Sequence, residues 1–362
     1  MSLNILTIVG ARPQFVKAAA LSKALRKHNT LNKDTINETV IHTGQHYDQN
    51  MSSVFFEELG IPKPSVNLHI GGGSHAENTG KMIIELEKVL LDFKFDLLVV
   101  YGDTDSTLAT ALTASKLHIP IAHIEAGLRS FNRKMPEEIN RVLTDHLSSL
   151  LFCPTLKSIE NLKAEGIERG VYHTGDIMYD AKIMVDELAE KSDILKKLSL
   201  NSKDYYLVTI HRPYNTDIKN NLENIFLTLN KLAERKKIVL PLHPRTKKML
   251  KMFDLDNLAE KLKIIEPVSF VEMNKLMKNA ATIITDSGGI QKEAYFHKRP
   301  CVTVRKETEW LETIEAGWNK LTAPVTKEII NAVKNSSVGK AIPEYGTGNS
   351  AEIIIKEILN FC

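Results

Sequence analysis

Asp96-Leu97-Leu98-Val99-Val100-Tyr101-Gly102-Asp103-Thr104-Asp105-Ser106-Thr107 is an unbroken apolar run that ends on glycine and passes into small polar residues. Continuous rather than alternating apolar character is the mark of a strand covered on both faces, as in a parallel sheet packed between helices. The same pattern recurs at Asn4–Val9, Glu38–His42, Ile119–Ile124 and Leu150–Cys153 in the first half of the chain. In the second half it returns at Tyr205–Ile210, Ile238–His243, Lys263–Glu266, Thr282–Asp286 and Cys301–Val304. Helix-length amphipathic segments such as Ala18–Lys27, Glu77–Asp92 and Thr107–Lys116 lie between strands. The rhythm predicts an α/β protein with two layered domains in series. Their boundary is expected after Gly175, giving domains 1–175 and 176–349, where the strand pattern pauses and a polar helix spans Asp180–Leu198. The closing amphipathic segment, within 350–362, is of a kind that in two-lobed folds often crosses back to the first domain.

The 362 residues suffice for two ordinary cores, and 43% apolar with 25% charged residues is the balance of a soluble globular protein. A formal charge of +3 without a basic block argues against nucleic acid or an anionic membrane as partner. Any bound anion is therefore expected to meet a few placed groups. Cys153, Cys301 and Cys362 are widely spaced and match no metal-ligand pattern, so no metal is expected. The chain moves into the strand Leu3–Val9 without a charged lead, and no stretch approaches the roughly 20 apolar residues of a membrane helix. These features predict a cytoplasmic protein.

Ligands of parallel α/β sheets bind beyond the carboxyl ends of the strands, so those ends were read for chemistry. Gly10-Ala11-Arg12-Pro13, with Lys17 about one turn on, can form an anion site or a plain turn with solvated cations. It is not a GxGxxG, and no other strand is followed by one, so no nicotinamide or other cofactor is expected. Asp105 or Ser106 is the expected cap of the helix after Tyr101, leaving Asp103 to point into the site. Glu125 ends a very apolar strand, where a carboxylate is costly unless paired or used. Glu137 and Glu138 follow Pro136 at a helix start, and helix-dipole complementation alone accounts for one of them. Asp103, Glu125 and one of these glutamates can converge, and crowded carboxylates raise one another's pKa values, as acid–base chemistry requires. In the second half, His211-Arg212 and His243-Pro244-Arg245 follow strands, and Thr285-Asp286-Ser287-Gly288-Gly289-Ile290-Gln291-Lys292-Glu293 opens a helix with small residues. Backbone N–H groups there can reach phosphate oxygens, and Glu293 is placed to accept from ribose hydroxyls.

Seven motifs, in order along nearly the whole chain, resemble the non-hydrolysing UDP-N-acetylglucosamine 2-epimerases: GARPQFVK from Gly10, YGDTDST from Tyr101, HIEAGLRS from His123, PEEINR from Pro136, TGD from Thr174, HR at His211 and TDSGGIQKEA from Thr285. The resemblance implies a glycosyltransferase-B-like fold of two Rossmann-like domains, with the active site in the interdomain cleft. It also implies a homodimer acting on a UDP-sugar in polysaccharide biosynthesis, with neither metal nor nicotinamide. Family catalytic positions match Asp103, Glu125, Glu137 and His211. Positions around the nucleotide and substrate match Arg12, Lys17, Arg141, Arg212, Ser287, Gly288, Gly289 and Glu293.

The sequence departs from the common family form at three places. Gln14 stands where the first motif commonly has Glu, Gln45-His46-Tyr47-Asp48 where many bacterial members read Gln-His-Arg-Glu, and Glu309-Trp310-Leu311-Glu312 where they carry Glu-Arg-Pro-Glu. The Arg-to-Trp exchange is not conservative. These variants resemble the subgroup acting on UDP-2,3-diacetamido-2,3-dideoxy-glucuronic acid, and they weaken any carry-over of an allosteric substrate site. A glycosyltransferase would share the fold and nucleotide site. Three carboxylates at element ends of one domain favour the epimerase over that rival, and the intact motifs favour it over a silent nucleotide-binding protein; a hydrolysing epimerase is a nearer relative, distinguished by release of free N-acetylmannosamine.

Overall fold

Leu97–Tyr101 forms a strand whose five residues are all buried, as an apolar run covered on both faces requires. The computed structural model describes residues 2–45 and 59–362. The chain divides into two compact units, residues up to Met184 together with Pro343–Cys362, and Val185–Ile342. His46, Tyr47 and Asp48 lie outside the described residues.

The first unit holds strands β1 (Ser2–Val9), β2 (Thr35–His42), β3 (Val66–Asn67), β4 (Leu97–Tyr101), β5 (Ile121–Ile124), β6 (Leu150–Cys153) and β7 (Val171–His173). Its helices are α1 (Arg12–Leu31), α2 (His75–Asp92), α3 (Asp105–Lys116), α4 (Pro136–Leu147) and α5 (Leu156–Ala164), and α6 (Ile177–Lys191) starts in it and runs on into the second unit. The sheet order is β3-β2-β1-β4-β5-β6-β7, with every pairing parallel. The order reverses between β1 and β4, so the switch point, where such sheets bind ligands, is edged by the turns after those two strands. Leu6, Ile8, Leu98 and Val100 pack with Met82, Leu86 and Leu90 of α2, a hydrophobic stripe at helical spacing.

The second unit repeats the plan. Strands β8 (Tyr205–Thr209), β9 (Lys237–Pro241), β10 (Lys263–Ile265), β11 (Thr282–Thr285), β12 (Cys301–Thr303) and β13 (Asn319–Leu321) run parallel in the order β10-β9-β8-β11-β12-β13. Helices α7 (Ile194–Lys197), α8 (Pro213–Thr216), α9 (Lys219–Ala233), α10 (Pro244–Met252), α11 (Phe270–Asn279), α12 (Gly288–Phe296), α13 (Leu311–Glu315) and α14 (Thr326–Lys334) surround it. Here the switch point falls between β8 and β11.

The last helix, α15 (Ser350–Phe361), belongs to the first unit. The Asp180 carboxylate accepts from the backbone N–H groups of Ser350 (3.2 Å) and Ala351 (3.0 Å), two donors a helix start leaves without internal partners. Burial raises the Asp180 pKa against those hydrogen bonds.

Two local expectations need correction. Thr104, not Asp105 or Ser106, caps α3, its hydroxyl accepting from Thr107 N–H at 3.3 Å. The segment Asp180–Leu198 is not one helix: α6 ends at Lys191, and a separate turn, α7, follows. Cys153 and Cys301 are buried, and burial pushes the Cys301 thiol up to about 12.

Candidate active site

In the first unit the residues singled out from the sequence gather at the ends of β1, β4 and β5. Lys17, on the first turns of α1, forms a buried ion pair with Glu125, which follows β5. Glu125 adopts φ +73°, a left-handed conformation rare for a residue other than glycine and typical of strained functional positions. Gly102 faces this pair. A methyl group there would lie 3.1 Å from Glu125 Oε2 and 3.3 Å from Lys17 Nζ, and Gly102 itself has φ +62°. The backbone favours glycine here, and the space beside the ion pair is tight.

Asp103 follows directly and pairs with Arg141 of α4. Arg141 also donates through Nη1 to Glu138 Oε2 at 3.1 Å. Glu138 is buried and accepts from Ser130 N–H, Ser130 Oγ and Phe131 N–H, each at 2.9 Å. Its carboxylate is consumed in bracing the loop before α4. Glu137, its neighbour, is half-buried at the same helix start, where a carboxylate also complements the helix dipole. Arg12 opens α1 and is half-buried. Asp103 and Glu125 each carry a cation of their own.

The second unit gathers a different set. Asp286, fully buried after β11, accepts from the backbone N–H groups of His211 (3.0 Å) and Arg212 (3.0 Å) and from Asn215 Nδ2 (3.0 Å). Its Oδ1 also lies 3.5 Å from His211 Nδ1. The His211 ring stacks near that of His243, with centroids 5.2 Å apart. Burial lowers the His211 pKa, with His243, Arg212 and Arg245 acting in the same direction and Asp286 opposing them. The ring is therefore neutral near pH 7.

Ser287 is the first residue of the α12 turn, and its side chain does not cap the helix. Its N–H donates to Thr285 Oγ1 at 3.0 Å. A methyl group on Gly288 would come no nearer than 3.6 Å to another residue, and one on Gly289 no nearer than 3.7 Å, the latter to Glu293 Oε1. Among the described residues, neither glycine is required by packing, and there is room for a methyl group at each. Beside it, Arg305 and Glu309 are bridged at 3.1 Å. Trp310 is buried with the Lys292 ammonium 4.0 Å from its ring centroid, a cation–π contact. The position that lost a charge thus has a buried cation against it.

The sequence reading left several partners of these residues without a role. Asp286 lay inside a motif but was passed over for the serine and glycines after it. His123, Asp145 and Asn140 are buried and hold the first cluster through contacts 21 to 37 residues apart in sequence. The one available signal was a histidine and an aspartate at positions that helix and strand periodicity would reserve for apolar residues.

Two doubly wound parallel α/β units, each with polar residues at its switch point, place the protein in the glycosyltransferase-B-like class. The profile of the UDP-N-acetylglucosamine 2-epimerase family matches residues 29–359, and the chain belongs to that family of isomerases. A UDP-N-acetylglucosamine 2-epimerase homologue of Methanococcus maripaludis is 50% identical, covering 99% of this chain and 100% of its own. The UDP-2,3-diacetamido-2,3-dideoxy-D-glucuronate 2-epimerase of Pseudomonas aeruginosa is 46% identical, over 97% and 98% of the two chains. Among solved structures, the UDP-GlcNAc 2-epimerase of Methanocaldococcus jannaschii in complex with UDP-GlcNAc and UDP superposes with a TM-score of 0.88 at 45% identity, covering all of both chains.

Proposed function

We propose that the protein inverts carbon 2 of UDP-N-acetylglucosamine to give UDP-N-acetylmannosamine without net hydrolysis. The carbon 2 proton of a 2-acetamido sugar has no adjacent carbonyl and is hardly acidic. Elimination overcomes this: a base takes that proton, its C–H electrons form the carbon 1–carbon 2 double bond, and UDP departs with the C–O pair. The glycal is then protonated at carbon 2 from the opposite face, and UDP adds back at carbon 1.

The observation that carries this reading is the set Asp103, Glu125 and Glu137 with Lys17 and Arg141 at the strand ends of the first unit. It supplies carboxylates for proton transfer and cations for developing negative charge. The second unit takes the nucleotide: the open start of α12 at Ser287, Gly288 and Gly289 suits a diphosphate, and Glu293 suits the ribose. Arg12 and Arg212 add positive charge, and neutral His211 can donate a hydrogen bond to the departing UDP. We assign proton transfer to the first unit's set and nucleotide binding to the second unit's, in a cytoplasmic homodimer that feeds polysaccharide synthesis.

A second substrate is favoured by a specific observation. Trp310 stands where many relatives carry arginine, and identity to the Pseudomonas diacetamido-glucuronate enzyme is nearly as high as to the Methanococcus homologue. Proton NMR in D2O on separate samples of the two UDP-sugars tests both readings. Loss of the carbon 2 proton with growth of the inverted UDP-sugar supports epimerisation, and the faster sample names the substrate. Free sugar in place of a UDP-sugar would show hydrolysis. No change in either sample, with UDP still bound, would point to a glycosyltransferase.

A further inference from the structure

Three successive carbonyl groups, those of Tyr101, Gly102 and Asp103, each accept a hydrogen bond from a buried side chain on a different element. Gln14 of α1 donates through Nε2 to Tyr101 O at 2.9 Å. His123 of β5 donates through Nε2 to Gly102 O at 2.8 Å, since a carbonyl can only accept. Asn140 of α4 donates through Nδ2 to Asp103 O at 2.9 Å. Exposure of the three residues is 2%, 0% and 5%.

Each clamp is itself held. Gln14 Oε1 accepts from the N–H groups of Gly10 (2.8 Å) and Ala11 (3.0 Å), and its amide also reaches Thr104 and Thr107. One side chain thereby joins the turn after β1 to the turn after β4, using both ends of an amide. Asn140 Nδ2 also reaches Asp105 Oδ1 at 3.1 Å. His123 Nδ1 meets Asp145 Oδ1 at 2.7 Å, and the other oxygen of Asp145 accepts from Gly127 N–H (3.1 Å) and Arg129 Nη1 (2.7 Å). Burial works to raise the Asp145 pKa, but His123 and Arg129 outweigh it and hold the carboxyl below its ordinary range. Arg129 is gripped in turn by Glu165 through two bonds of 2.7 and 2.8 Å. The network also holds the chain around Glu125: the His123 side chain, two residues before it, is tied to Gly102 O and Asp145, and Gly127 N–H, two residues after it, donates to Asp145.

Turns that follow strands normally leave such carbonyls to solvent or to the next helix. Consecutive side-chain donors are a means of fixing the peptide planes, and with them the direction of the side chain that follows. We propose that Gln14, His123 and Asn140 are positioning residues that clamp the Tyr101–Asp103 turn and so aim the Asp103 carboxylate in the reaction. The proposal rests on the assignment of Asp103 to proton transfer, and its test separates the two.

Asn140→Leu removes the donor while keeping the number and branching of side-chain heavy atoms. It is compared with Asp103→Asn and with the double variant, using turnover and deuterium incorporation at carbon 2 of UDP-N-acetylglucosamine. The expected result is a loss of at least tenfold in kcat for Asn140→Leu, with KM changed by less than threefold. Added to Asp103→Asn, the same substitution is expected to cost less than a further threefold, because its effect passes through that carboxylate. Wild-type kcat for Asn140→Leu would overturn the clamp, as would a double variant whose losses simply multiply. Wild-type turnover by Asp103→Asn would instead overturn the site assignment. If Asn140→Leu does not fold, Asn140→Ser is measured by the same criteria, with an expected loss of at least threefold that again vanishes beside Asp103→Asn.

Discussion

The two units share a sheet order and differ in what stands at the strand ends. In the first, side-chain charges dominate: Lys17 with Glu125, and Arg141 with Asp103 and Glu138. In the second, backbone donors and small residues dominate. Asp286 faces inward to hold the His211–Arg212 backbone, and the start of α12 is left open at Gly288 and Gly289. One topology therefore carries two different sets of groups. A ring of placed carboxylates and cations suits moving protons, and a helix start with room above it suits holding an anion.

That division is broken most directly by neutralising the carboxylates. Asp103→Asn, Glu125→Gln and Glu137→Gln should each lower kcat by about 10³-fold. UDP affinity, measured by calorimetry, should stay within threefold. A matching loss of UDP affinity would show that the first unit holds the nucleotide too. Asp286→Ala probes the other side. It strands three donors, the Asn215 amide fully buried and the His211 and Arg212 N–H groups partly so, and denaturant unfolding should report a loss of about 3 kcal/mol. A smaller effect, under about 1 kcal/mol, would mean water takes over those donors and Asp286 is no keystone.

Gly288→Ala and Gly289→Ala sharpen the comparison further. The nearest neighbours leave room for each methyl, so melting temperature should be unchanged or slightly raised, as for glycine replaced in a helix. UDP affinity should fall about tenfold, equivalent to ~1.4 kcal/mol. Retained affinity in both variants would place the diphosphate elsewhere. The smallest effect concerns His211. Its pKa is lowered in the folded protein, so protonation favours the unfolded chain, and stability should decline as pH falls below about 6.5. Above that value His211 contributes nothing to the pH dependence. His211→Gln should flatten part of the decline between pH 7 and 5, and an unchanged slope would assign it to other groups.

The long strands were legible because four or five buried residues out of five leave an unmistakable apolar run, as in Leu97–Tyr101 and Tyr205–Thr209. The edge strands β3, β7 and β13 were not, since two or three residues with part exposure write no pattern. Asp103, Glu125 and His211 were legible as polar residues placed at the ends of apolar strands. Their supports were hidden for a physical reason. Asn140 and Asp145 act through bonds to the turns after β4 and β5, and only the folded sheet brings α4 beside those turns. Glu137 and Glu138 look alike in sequence, and burial alone distinguishes the brace from the half-buried neighbour. Gln14 stood out as an exchange from the common glutamate, and its amide is used at both ends.

The central claim is that the bond between carbon 1 and UDP breaks and re-forms during turnover. UDP-N-acetylglucosamine carrying ¹⁸O in the oxygen that joins carbon 1 to the β-phosphate tests it, read by ³¹P NMR during incubation with the enzyme. Elimination frees that oxygen, so the label should spread from the bridge into the non-bridging β-phosphate positions as the inverted sugar forms. Inversion at carbon 2 with the label held in the bridge would contradict the account.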